Sequence, residues 1–116
     1  MSETLIDKGA WERMKSMTGP AFLVELIDVF LKDSPELTKQ MRDGLAAGDI
    51  ESVRRAAHSL KSNSASFGAD RLAGVARDLE MIAKSDTLAG AESRLSEVEA
   101  EYAQLLPLLE ELKHEC

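Results

Sequence analysis

With 116 residues, 44% of them hydrophobic, the chain can enclose one compact core and leaves no room for a second domain. A formal net charge of −7 argues against non-specific nucleic-acid binding and against an anionic membrane surface, since both need a basic protein. The only cysteine is Cys116, so an internal disulfide framework is excluded.

Apolar residues recur three and four apart almost throughout, without strict alternation, which predicts helices and no strands. One Trp, one Tyr and three Phe leave the core to aliphatic side chains. A short first helix is expected over 7–17, DKGAWERMKSM, ended by Thr18-Gly19-Pro20, with Trp11 packing it against the rest. A second spans 20–47. Phe22, Leu23, Leu26, Ile27, Phe30 and Leu31 form its first apolar stripe, and Leu37, Met41 and Leu45 continue it. Ser34-Pro35 interrupts this pattern, and the missing backbone donor predicts a kink or a restart capped by Ser34.

Gly48 reads as a helix stop and Asp49 as the next N-cap. The third helix is expected over 50–67, with Gly68 as its stop. Val53, Leu60 and Phe67 point inward, with Ile50, Ala57 and Ser64 beside them. A fourth covers 70–83 and buries Leu72, Val75, Leu79 and Ile82; KSDTLAG then makes a loop. The last covers 89–112, with Leu95, Val98, Tyr102, Leu105, Leu109 and Leu112 in alternating three and four spacing, and a kink expected at Pro107. Long amphipathic helices on short turns bury their stripes most simply side by side. The expected fold is all-α: an antiparallel four-helix bundle with a short additional N-terminal helix, one domain over 1–116.

The stretch AAHSLKSNSASFGA carries the chemistry. With Leu60 inward, His58 lies about 200° around the helix, on the outward face. Its neighbours there are Arg54 and Arg55 on one side, Lys61 and Ser62 on the other, and Ala65 two turns on. A bundle core does not require this basic stripe in an acidic protein. An exposed imidazole, with an ordinary pKa near ~6.5, is a nucleophile around neutral pH. Nearby cations favour the neutral ring and would pair with a dianionic group attached to it. Small side chains at 62 and 65 leave room for another protein. The stripe suits a histidine that accepts a phosphoryl group from a partner, although a lone outward histidine is more often just solvated surface.

The other features are bland. His114 sits in the C-terminal tail without a motif, and the five methionines read as filler. No glycine-rich phosphate loop and no metal-ligand spacing is visible, so neither ATP nor a resident cofactor is expected. The opening MSETLIDKGAW lacks a basic segment leading into an apolar run, and no apolar run is long enough to span a bilayer. A cytoplasmic location is the resulting expectation.

AHSLKSNSASFGADRLAGVARDLE resembles the core motif of histidine phosphotransfer (HPt) domains of bacterial and plant phosphorelays, approximately H-x-L-K-G-S-S-A-x-x-G-A followed by a helix ending in Leu-Glu. His58, Leu60, Lys61, Ser64, Ala65, Gly68 and Ala69 match it. FLVELIDVFLKDSPEL and AAGDIESVRRAAHSLK extend the resemblance along the chain. It implies a four-helix bundle in which His58 is phosphorylated through its exposed ring nitrogen and Lys61 neutralises phosphoryl charge. Ser62 replaces a common glycine and Asn63 a common serine; both are tolerable changes. Some members set a polar side chain of the next helix against the histidine. The matching residue is Glu80, which would orient His58 but repel a phosphoryl group if it pointed there. Lys84, one turn on, offers a second cation.

The resemblance also implies the partners: receiver domains of response regulators, or a receiver within a hybrid sensor histidine kinase. The receiver holds the aspartyl phosphate and Mg²⁺, and the monomeric chain acts as a stoichiometric carrier rather than an enzyme. Three other readings stand beside it. One is a receiver-binding bundle without transfer, against which His58 and Lys61 argue. Another is an adaptor for amphipathic helices, which leaves the basic face unexplained. The third is a kinase dimerisation domain, which would dimerise ahead of an ATP-binding domain.

Overall fold

The computed structural model describes residues 6–66 and 68–115, with Glu115 described by its backbone alone. Five helices follow one another: α1 (Lys8–Met17), α2 (Pro20–Ala47), α3 (Ile50–Ser66), α4 (Asp70–Lys84) and α5 (Ala91–Glu115). No strand occurs among the described residues. α2 packs on α3, α3 on α4, α4 on α5, and α5 back on α2. Their shared interior is aliphatic, as the composition requires: Leu23, Ile27, Met41, Val53, Leu60, Leu72, Leu79, Leu95, Val98, Leu105 and Leu109 are all buried.

The helix ends follow from their local chemistry. Gly48 adopts φ +71°, and its N–H reaches the carbonyls of Gly44 and Leu45 to close α2. One residue on, the Asp49 carboxylate caps α3, accepting from the Ser52 N–H at 3.2 Å and the Ser52 hydroxyl at 2.7 Å. Gly68 ends α3 at φ +75°, and a Cβ there would meet the Ala10 Cβ at 2.8 Å and the Asp7 carbonyl oxygen at 3.0 Å. The Asp7 N–H donates to the Gly68 carbonyl at 2.6 Å, so α1 docks where α3 turns into α4. Trp11, buried on α1, is a packing residue as expected.

Several expectations need correction. Of the two outcomes expected at Pro35, the restart is ruled out: α2 continues through Pro35 as one helix, and Ser34 is buried rather than capping a new one. Proline removes the N–H that would bond the carbonyl four residues back. That carbonyl belongs to Leu31, and it accepts instead from the Tyr102 hydroxyl of α5 at 3.4 Å. Phe22 is not part of the core stripe; it is 49% exposed. On α4, Val75 and Ile82 are only partly buried, whereas Ala76, Glu80 and Ala83 are buried. The inward face of that helix is therefore rotated toward its alanines, and it carries a carboxylate. α5 begins at Ala91, two residues late, and His114 lies exposed in its last turn rather than in a frayed tail. The expectations for Phe67 and Cys116 fall outside the described residues. No helix is long and apolar enough to cross a membrane.

Candidate functional site

α3 turns Val53, Ala57, Leu60 and Ser64 inward, which leaves His58 on the outer side with its ring 56% exposed. α4 packs alongside and presents Glu80, whose side chain is only 3% exposed. The Glu80 carboxylate is a hub. One oxygen, Oε2, lies 2.8 Å from Nδ1 of His58, and the other, Oε1, lies 2.8 Å from Nζ of Lys61. Nζ of Lys84 stands 3.7 Å from Oε2.

Burial pushes the Glu80 pKa up, but hydrogen bonds from Lys61 and His58, together with their charge, outweigh it and hold the carboxyl below its usual value. Glu80 is thus ionised at neutral pH, and an ionised carboxylate only accepts hydrogen bonds. Nδ1 of His58 must therefore donate to it. In the neutral ring the lone pair then sits on the other nitrogen, Nε2. This one contact selects which ring nitrogen of an exposed histidine keeps its lone pair.

The basic stripe is less bare than the sequence implies. Glu51, in the first turn of α3, holds Arg54 at two points: Arg54 Nε donates to Oε1 at 3.0 Å, and Nη2 pairs with Oε2. Arg55 Nε lies 3.4 Å from the same Oε2. The hydrogen bond from Arg54 keeps the Glu51 carboxyl below its ordinary range. At about 100° per residue, Arg54, four before His58, and Lys61, three after it, fall on the same side of His58, where Lys61 meets Glu80 of α4.

On the other side of His58, an open groove of about 410 Å³ runs between α2 and α3. Asp33, Glu36, Leu37 and Gln40 form its α2 wall; His58, Ser59, Ser62 and Asn63 form its α3 wall. A second groove of about 440 Å³ shares Leu37, Gln40 and Ser59 and extends to Asp49 and Arg55. Ser62, on the groove wall, and Ala65, farther along α3, are exposed and small, so the outer face of α3 carries little bulk there.

Of the sequence-predicted site residues, His58, Lys61, Glu80 and Lys84 converge on one another. Arg54 and Arg55 lie one turn away, both engaged by Glu51. Gly68 is buried against α1, away from this cluster. Sequence reasoning missed Glu51, although its spacing of three and four from the two arginines announces ion pairs. It also missed the α2 wall, which no local signal could reveal. Among the described residues, no group of three His, Cys, Asp or Glu side chains is arranged to hold a metal.

Comparison with known proteins agrees with this geometry. The family model of the Hpt domain matches residues 25–113. The phosphorelay protein LuxU of Vibrio cholerae is 30% identical over 91 residues, covering 78% of this chain and 74% of that protein. The crystal structure of histidine-containing phosphotransfer protein B from Pseudomonas aeruginosa superimposes with a TM-score of 0.91 at 28% identity, over 97% of this chain and 96% of the other. A histidine-containing phosphotransfer protein of Medicago truncatula superimposes with a TM-score of 0.80 at 25% identity, over 98% and 82%. The chain belongs to the Hpt domain family, the histidine-containing phosphotransfer domains of phosphorelays.

Proposed function

We propose that His58 is the phosphoryl acceptor and that the chain carries the group between receiver domains in a phosphorelay. The observation that carries this reading is the Glu80–Nδ1 contact at 2.8 Å. It leaves Nε2 with the lone pair, on a ring that is half out of the protein. Nε2 attacks the phosphorus of a receiver's aspartyl phosphate in line; the N–P bond forms as the acyl O–P bond breaks, and the aspartate leaves as carboxylate. The ring gains positive charge while its Nδ1 proton stays in place, and Glu80 stabilises that charge, as a buried carboxylate does beside a catalytic histidine. Lys61, fixed on Glu80, supplies positive potential toward the incoming group. The reverse attack by another receiver's aspartate returns the lone pair to Nε2.

The receiver brings the Mg²⁺ and most of the charge stabilisation, so the chain itself needs no cofactor and acts as a carrier rather than an enzyme. The groove between α2 and α3, with the small Ser62 on its wall, and the exposed Ala65 farther along α3 suit an approaching receiver surface. Residues 1–116 make one domain, which we read as an antiparallel four-helix bundle of α2 to α5 with α1 packed on it. The ring of helix pairings, α2–α3–α4–α5–α2, supports that reading. A monomer in the cytoplasm fits the same role.

The test is transfer from a phosphorylated receiver to the wild type, to His58→Gln and to His114→Gln. An acid-labile gain of one phosphate in the wild type and in His114→Gln, lost in His58→Gln, is expected. Binding of receivers without any transfer to the wild type would instead favour a receiver-binding adaptor.

A further inference from the structure

The cations around His58 differ in what they leave behind when they move. Lys61 is tied to Glu80, which is 3% exposed. Withdrawing Lys61 would leave that buried carboxylate with only His58 and the more distant Lys84, which is unfavourable. Arg54 is tied to Glu51, whose side chain is 57% exposed. Withdrawing Arg54 leaves only a solvated carboxylate, and exposed ion pairs of this kind hold weakly. Arg55, 3.4 Å from the same Glu51 oxygen, is in place to take over. Arg54 also sits one turn from His58 on its face, and its planar fork matches phosphoryl oxygens at two points.

We propose that Arg54 is the mobile phosphoryl clamp of this site and that Glu51 is its latch. In the unphosphorylated chain Glu51 holds Arg54 back. When Nε2 carries a phosphoryl group, Arg54 exchanges Glu51 for two phosphoryl oxygens, Arg55 closes on Glu51, and Lys61 stays on Glu80. No covalent bond changes in the exchange; one ion pair replaces another. Glu51 therefore competes with the phosphoryl group for Arg54 and lowers the stability of the phosphorylated state. This inference rests on His58 being the phosphoryl acceptor.

The experiment measures the equilibrium of phosphoryl exchange between the full chain and a phosphorylated receiver domain, as the ratio of the two phosphorylated proteins. Effects on docking cancel in that ratio. Glu51→Gln is expected to shift it toward phosphorylated chain by about twofold to fivefold, the range of an exposed ion pair. Arg54→Gln shifts it the other way by a similar factor. In the double variant the ratio should match Arg54→Gln alone, because Glu51 acts through Arg54. An unchanged ratio in Glu51→Gln, or the same shift whether or not Arg54 is present, overturns the latch. Failure of the wild type to take phosphate, or phosphorylation that survives His58→Gln, overturns the acceptor assignment as well. Both residues are on the surface, and a far-UV circular dichroism melt confirms that each variant folds.

Discussion

Glu80→Gln keeps the shape of the side chain and removes its charge. Two losses follow at His58. The hydrogen bond at 2.8 Å becomes neutral instead of charge-assisted, a difference of about 1 to 1.5 kcal/mol. The positive charge that develops on the ring during attack then loses its carboxylate. The amide can also turn its NH₂ toward Nδ1, which places the ring proton on Nε2 and removes the nucleophile's lone pair. Together these amount to about 1.5 to 3 kcal/mol, a slowing of roughly tenfold to a hundredfold. The assay is single-turnover transfer from a saturating phosphorylated receiver, quenched over time, with the fold checked by circular dichroism. A folded Glu80→Gln protein that accepts phosphate within about threefold of the wild-type rate would refute the claim that the carboxylate prepares the ring.

The remaining predictions concern stability. Gly68→Ala forces a β-carbon to within 2.8 Å of Ala10 Cβ at φ +75°; urea denaturation should show a loss of about 2 to 4 kcal/mol. Tyr102→Phe leaves the Leu31 carbonyl without its hydroxyl donor and should cost about 1 kcal/mol. In a Pro35→Ala background the backbone N–H returns, and the same substitution should cost measurably less. Finally, the Glu80 carboxyl is held below its ordinary value of 4.5. A lowered folded-state pKa contributes stability that is complete above the unfolded value and is lost as pH falls through the folded one. The stability gap between wild type and Glu80→Gln, read from urea midpoints, should therefore narrow as the pH drops below 4.5.

Where a feature depends on a residue's own backbone, the sequence shows it. Gly48, Asp49 and Gly68 mark helix ends because φ above zero and N-capping are properties of single residues and their nearest neighbours. His58 was legible as an outward histidine because Leu60 fixes the phase of α3. That α2 continues through Pro35 was not legible for the opposite reason: the carbonyl the proline orphans is satisfied by Tyr102, from another helix. Glu80 was placed near His58 by resemblance, but its burial was not legible. A glutamate inside a helix reads as solvent-facing, and it is Lys61 and His58 of α3, with Lys84 on its own helix, that offset the burial of this one. Phe22 failed differently. It is apolar and at the edge of the stripe, and nothing local says on which side of that edge it falls.

Burial separates the two carboxylates that hold the cations of α3 into two roles. Both are acidic residues pairing with cations, and residue type alone would treat them alike. Glu80 is enclosed, so its partners are expensive to remove, and it suits a fixed duty: holding a tautomer and a lysine through both halves of a transfer. Glu51 is in water, so its partners exchange at little cost, and it suits a duty that changes with phosphorylation. A carrier needs both. On the proposed mechanism, Glu80 fixes the ring proton on Nδ1, and Glu51 offsets a cation that would otherwise hold the phosphoryl group more tightly. The pairing of Glu80 with Lys61 and of Glu51 with Arg54 answers these two demands with the same residue types, placed at different depths.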